Sequence, residues 1–346
     1  MYSTMTDPLQ TAKFLAILLL STIFTGALSI PFINLLYKLK FRAPKTTSKD
    51  FLGKETPFAK LHGKKIGTPT GGGILIAVST FLFSAIFYAL TSFRFNWTSN
   101  ILFLTIFSFG LLGLYDDLQK FFKLKKRGFF SLRLRHKFLV QWILGLAISW
   151  LLYTEIGGLE NIWLPGGAAL NIGLWFVPLG ALAIVATSNA FNITDGLDGL
   201  AGGLLVIALG AFTFLATRSP LGGDITVFIA VLVGSLLAFL YFNIHPARIF
   251  MGDTGALAFG ALLGVIALMT NRLIALPIIG GVFAIETISD FIQWGSMLFR
   301  DGKKVFKIAP LHHHFEAIGW EETKVTMRFW LAGTLLAILG TLVASL

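Results

Sequence analysis

The sequence predicts an all-α integral membrane protein of about ten transmembrane helices whose chemistry gathers at one face of the bilayer. Hydrophobic residues fill 55% of its 346 positions and charged residues only 13%, at a mean hydropathy of +0.78, more apolar than a soluble core requires. Apolar windows of roughly 20 residues, the length that crosses a bilayer, are centred near residues 25, 81, 107, 147, 184, 208, 234, 262, 286 and 336. The cations divide unevenly. Of 28 Lys and Arg, 24 lie in the segments that leave every second window, and only Lys13, Arg94, Arg218 and Arg272 fall on the other side.

By the positive-inside rule the cation-rich face is cytoplasmic and both termini are periplasmic. The first window, beginning after Lys13, is too long for a signal-peptide core and lacks a convincing cleavage site, so it is expected to remain as a helix. The 34 Phe and 36 Gly suit helices packed closely in lipid. The absence of Cys excludes disulfides, thiolate metal sites and Cys nucleophiles. With no repeat and no soluble stretch, residues 1–346 are expected to form a single polytopic domain. The net charge of +11 sits in membrane-flanking loops, which points to anionic lipid or an anionic substrate and not to nucleic acid.

The polar motifs all fall on that cytoplasmic face. Asn189, Asn192, Asp195 and Asp198 recur every three residues inside an apolar run, so on a helix each would neighbour the next with a drift of about 60°. Gly196 and Gly199 predict a break there, and freed backbone N–H groups beside carboxylates suit a phosphate held through a divalent cation. Taken alone, the stretch also reads as an ordinary capped helix end.

Asp116 and Asp117 end the third span. Adjacent side chains on a helix point about 100° apart, which predicts different tasks, and Lys120 shares a face with one of them. Acids are electrostatically misplaced at a helix C-terminus, so a plain solvated end explains them poorly. Between the seventh and eighth spans Asp253 lies between Gly252 and Gly255, near Asn243, Arg248 and Phe250, a ring able to stack on a planar base. Asp253 or Thr254 also fits as the N-cap of the eighth span.

Lys64 and Lys65 precede a glycine-rich entry containing Thr70, chemistry that suits phosphate although the order of residues is not that of a P-loop. Glu286 and Asp290 lie inside the ninth span, where charge is costly and marks a polar contact. His312, His313 and His314 are consecutive, poor geometry for a single tetrahedral zinc and better suited to hydrogen bonding with phosphate or to acid–base work.

Together, Asp116-Asp117, the 189–203 stretch, Phe250-Met-Gly-Asp253-Thr-Gly255 and His312 to Glu316 resemble the polyprenyl-phosphate N-acetylhexosamine-1-phosphate transferase superfamily. Within it, Pro310 to Glu316 and Gly67-Thr-Pro-Thr70 are similar to the phospho-N-acetylmuramoyl-pentapeptide transferases. The resemblance covers nearly the whole chain. It implies a Mg2+-dependent enzyme of the bacterial cytoplasmic (inner) membrane, a homodimer, in which undecaprenyl phosphate attacks UDP-N-acetylmuramoyl-pentapeptide to give lipid I and UMP.

Carried over by motif, the resemblance makes Asp253 a metal ligand, Asp116 the base, and Asp117 a group acting on metal and diphosphate. It places Asn192, Asp195 and Asp198 in the nucleotide pocket with Phe250, and Asn189, Asn243, Lys65, Thr70 and Lys120 around it. His312 and His313 would contact substrate, His312 with a catalytic part. Gly71, Ala256 and Asp290 depart from the family pattern without touching a carboxylate assigned to catalysis. A sister enzyme moving N-acetylglucosamine-1-phosphate is the close alternative, against which the histidine run counts. A transporter would spread its polar residues across the midplane through broken spans.

Overall fold

The computed structural model describes residues 8–41, 67–91, 93–121, 134–164 and 168–346. The long helices are α1 (Pro8–Lys38), α2 (Gly72–Leu90), α3 (Trp97–Phe121), α4 (Leu134–Leu151), α5 (Phe176–Thr194), α6 (Leu200–Ala216), α7 (Gly222–Asn243) and α8 (Gly252–Met269). A single turn, α9 (Leu276–Ile279), leads into α10 (Gly281–Phe299), followed by the short α11 (Leu311–Ala317) and the long α12 (Glu322–Ser345). Helices cover all ten centres expected from the sequence. Eight are long and apolar enough to cross a membrane; α6, at 17 residues, and α10 are not among them, so the count of ten spans is reached only by including these two.

A second difference lies between α4 and α5. There Asn161–Trp163 (β1) pairs with Ala169–Asn171 (β2) as an antiparallel hairpin, Asn161 opposite Asn171. All-α therefore describes the membrane part and not this connection.

The bundle is built around α8, whose residues Thr254 to Met269 are all buried. Its small side chains let α3 pack along one side and α5 along another, the means by which helices associate where lipid supplies no hydrophobic drive. At Gly113 of α3 a Cβ would stand 2.1 Å from the carbonyl oxygen of Asp253, so only glycine permits this crossing. The crossing brings the C-terminal end of α3 to the first turn of α8.

α10 is amphipathic in the sense membrane helices require. Ile285, Ile288, Phe291, Ile292 and Trp294 are exposed on its outer side, while Glu286, Ser289, Gln293 and Ser296 form a buried polar stripe. That stripe organises the chain that follows. Gln293 accepts the backbone N–H groups of Val305 and Phe306, each at 3.0 Å, and Ser296 donates to the carbonyl of Lys303 at 2.8 Å. The loop that delivers α11 and its histidines is thus fixed from inside the bundle.

Candidate active site

The end of α3, the start of α8 and the first turns of α4 converge on one cluster of charge. Asp117 accepts the backbone N–H of Asp253 at 3.1 Å, that of Thr254 at 3.0 Å and the Thr254 hydroxyl at 2.7 Å. Asp117 thereby does what an N-cap does for α8, and its charge meets the positive end of that helix. Asp116, one residue earlier and turned away, pairs with Lys137 of α4. The two adjacent acids take different partners, as their angular offset predicts.

Asp253 completes the cluster. Its Oδ2 lies 2.6 Å from Lys120 Nζ and 3.7 Å from Lys137 Nζ, so Lys137 stands between Asp116 and Asp253. Three carboxylates and two ammonium groups occupy one patch, with Asp116, Asp253 and Lys137 largely but not wholly shielded from water. Thr70 belongs here too. It pairs with Phe250 in a parallel bridge, and its methyl group abuts Gly252, beside Asp117. Phe250 is held by backbone bonds to Pro69, Gly71 and Gly72.

A second group forms where α5 ends. The helix stops at Thr194, and residues 195–199 make the turn that the glycines predict, so the three-residue repeat does not continue as a helical row. Asp198 Oδ2 accepts the backbone N–H of Ala247 at 3.0 Å and lies 3.1 Å from His245 Nδ1, while the Asp198 N–H donates to Glu322 at 2.7 Å. Asn243 accepts the Gly199 N–H at 3.1 Å and donates to the Ile249 carbonyl at 2.9 Å. These bonds tie the 195–199 turn, the 243–250 loop and the start of α12 into one wall. Asn192 is half-buried on the last turn of α5.

His312 and His313 take different partners. His312 Nδ1 lies 3.0 Å from Glu286 Oε2, and its backbone N–H donates to Glu286 Oε1 at 3.1 Å, with both side chains 0% exposed. The free edge of the ring rests against Gly196, where a Cβ would stand 2.3 Å from Nε2. His312 is therefore packed directly against the 195–199 turn. His313 Nδ1 sits 2.8 Å from Glu316, and His314 Nδ1 accepts the Lys307 N–H at 3.1 Å. Three imidazoles with three separate partners form no shared metal site, in keeping with their spacing. Lys65 lies outside the described residues.

Lys137 and Gln141 were not among the residues the sequence marked. Both lie on one face of α4; Asn189 donates to Gln141 Oε1 at 2.8 Å, which links it to the helix that carries Lys137. The signal available was Gln141 itself, a lone amide in an apolar run one turn from a lysine.

Two donor sets fit a divalent cation. Asp253 offers hard carboxylate oxygens, the chemistry Mg2+ prefers, with Asp116 beside it across Lys137. Asp117 fits less well as a direct ligand, because three of its four lone-pair positions already serve α8. Asp198, His245 and Glu322 form the other set, with ligand atoms within 4.8 Å of one another.

Known proteins resemble this chain over most of its length. Residues 99–271 match glycosyl transferase family 4. A phospho-N-acetylmuramoyl-pentapeptide-transferase of Geobacillus sp. (strain WCH70) is 41% identical over 336 residues, 96% of this chain and 98% of the relative. The chain belongs to the phospho-N-acetylmuramoyl-pentapeptide-transferase family. Members from Halalkalibacterium halodurans, 40% identical over 93% of this chain and 95% of the relative, and Desulforapulum autotrophicum, 41% identical over 81% and 80%, agree with that placement. The transferase match over 99–271 spans α3 to α8 and so includes Asp116, Asp117, Asp195, Asp198 and Asp253.

Proposed function

We propose that this chain transfers phospho-N-acetylmuramoyl-pentapeptide from UDP-N-acetylmuramoyl-pentapeptide to undecaprenyl phosphate, giving lipid I and UMP. The observation that carries the reading is the meeting of Asp116, Asp117, Asp253, Lys120 and Lys137 at one end of a membrane bundle. Two phosphate-bearing substrates brought together concentrate negative charge, and a site that joins them has to position and neutralise it. Lys120 and Lys137 supply fixed positive charge for that purpose.

A phosphate oxygen of the lipid attacks the β-phosphorus of the nucleotide sugar, and the bond to the UMP oxygen breaks. Asp116 takes the proton from the attacking phosphate. Asp253 would hold Mg2+, which would supply positive charge to polarise the diphosphate and offset its charge. Asp117 acts on that ion by fixing the first turn of α8 and hence Asp253. The wall formed by Asp198, Asn243 and Phe250, with Asn189, Asn192, Asp195 and Thr70 around it, receives the nucleotide. His312 acts at the back of the 195–199 turn, and His313 beside it.

An apolar groove of about 440 Å³ between α5, α8 and α10 suits the polyprenyl chain; it is lined by Leu182, Ala186, Ala190, Leu263, Phe283 and Ile288. Ala190 follows Asn189 directly, which keeps the groove next to the polar wall. The reading places residues 1–346 as one transferase domain in the bacterial cytoplasmic membrane, a homodimer, with the acidic cluster facing the cytoplasm. The distribution of 24 of 28 cations supports that orientation.

Purified protein incubated with Mg2+, undecaprenyl phosphate and UDP-N-acetylmuramoyl-pentapeptide is expected to release UMP and form lipid I. Release of UMP from UDP-N-acetylglucosamine in place of the muramoyl substrate would overturn the assignment in favour of the sister reaction.

A further inference from the structure

The end of the bundle remote from the acidic cluster holds two arginines that the reaction does not use. Arg218 follows the C-terminal end of α6 and Arg272 that of α8. A cavity of about 180 Å³ opens there, lined by Arg272, Ala275, the hairpin residues Trp163 and Leu164, and Ser345 and Leu346 at the end of α12. Ser345 connects the two cations, since its hydroxyl accepts a hydrogen bond from Arg218 Nη1 at 3.1 Å and it lines the same cavity as Arg272. Among the described residues neither guanidinium has a carboxylate within ion-pair distance. Burial, then the like charge of Arg218, lowers the pKa of Arg272.

We propose that this cavity binds the phosphate of an anionic phospholipid. Arg272 lines the cavity and would meet a phosphodiester oxygen directly, while Arg218, whose guanidinium lies 4.4 Å from the Phe214 ring centroid and donates to Ser345, adds positive charge beside it, so an anion there relieves the repulsion between the two. The volume admits a lipid headgroup and is too small for a nucleotide sugar. Trp163 and Leu164, which line the cavity, are exposed, as are Leu170, Leu174 and Trp175 in the same connection between α4 and α5, aromatic and aliphatic side chains that suit the headgroup level of a bilayer. Arg94, by contrast, spends its guanidinium on the carbonyls of Tyr88, Thr91 and Phe93.

Native mass spectrometry of the full chain in neutral detergent, titrated separately with phosphatidylglycerol, phosphatidylcholine and inorganic phosphate, tests this. The wild type is expected to retain phosphatidylglycerol about tenfold more strongly than phosphatidylcholine, the equivalent of one charge-assisted hydrogen bond. Arg218→Ala combined with Arg272→Ala should abolish that preference while lipid I formation in detergent persists, and Arg94→Ala should leave the preference intact. Arg272→Gln, which keeps most of the side-chain volume, should weaken it in the same direction. Equal retention of the two lipids by the wild type, undiminished preference in the arginine variants, or arginine-dependent retention of inorganic phosphate with no lipid preference would each overturn the proposal.

Discussion

Asp117 caps a helix whose first turn lies 136 residues further along the chain, accepting the N–H of Asp253 and both the N–H and hydroxyl of Thr254. The cap that local sequence offered to α8, Asp253 or Thr254, is thus not the one used, and Asp253 keeps its carboxylate for Lys120 and Lys137. The two acids can be separated by experiment. Asp117→Asn replaces one acceptor oxygen with an NH2 group facing a backbone donor, so it is expected to cost about 1–2 kcal/mol of stability and to lower turnover as well. Asp253→Asn leaves the cap in place. Turnover should fall to near zero and the dependence on Mg2+ should change, with thermal melting close to wild type. Equal losses of stability in the two variants would refute this division.

Lys137 is the shared counter-charge of Asp116 and Asp253. Lys137→Met removes it, leaving two partly shielded carboxylates to repel each other and the substrate phosphates. Turnover is expected to drop at least about tenfold, the equivalent of roughly 1.4 kcal/mol in the barrier. Lys137→Arg restores the charge with a different reach and should recover part of the loss. Wild-type turnover of Lys137→Met at saturating Mg2+ would remove Lys137 from the site.

Much of this cluster was legible in the sequence, and the reason the rest was not is physical. The offset between Asp116 and Asp117 follows from helix geometry within one segment, and the break after Thr194 follows from Gly196 and Gly199. Lys137 closes a run of basic residues that the membrane boundary alone explains, so the amide of Gln141 one turn on was the one sign that set it apart. Periodicity shows which face of a helix is polar and is silent about which helix crosses it. Gly113 and Asp253 meet only because α3 and α8 cross at that point. The hairpin of β1 and β2 was missed for a related reason: two three-residue strands are too short for an alternation to stand out.

The α3–α8 crossing provides a paired test within one helix. At Gly113 a Cβ would stand 2.1 Å from the Asp253 carbonyl oxygen, whereas at Gly110 the nearest atoms lie at 3.7 Å, ordinary van der Waals contact. Gly113→Ala is expected to push the helices apart, at a cost of about 1–3 kcal/mol, and to displace Asp253, so that melting temperature and turnover fall together. Gly110→Ala should leave both nearly unchanged. Tolerance of alanine at both positions would mean that this close approach does not set the geometry of the site.

Glu286 and His312 form the most deeply buried polar pair of the candidate site, each 0% exposed. The carboxylate receives two hydrogen bonds from His312, one from the backbone and one at Nδ1, and this fixes the ring with Nε2 against Gly196. Glu286→Ala leaves both donors buried without an acceptor, a loss of about 1–3 kcal/mol for each. Glu286→Gln retains one acceptor oxygen but turns an NH2 group toward the other donor, so its melting temperature should fall between those of wild type and Glu286→Ala. Gly196→Ala attacks the same contact from the opposite side: the new methyl group meets a ring that Glu286 prevents from retreating, so the 195–199 turn must move instead. Weakened binding of the nucleotide sugar, measured as a raised KM, is the expected result. If Glu286→Ala melts like the wild type and Gly196→Ala keeps the wild-type KM, His312 does not brace that turn, and its place behind the nucleotide wall has no functional consequence.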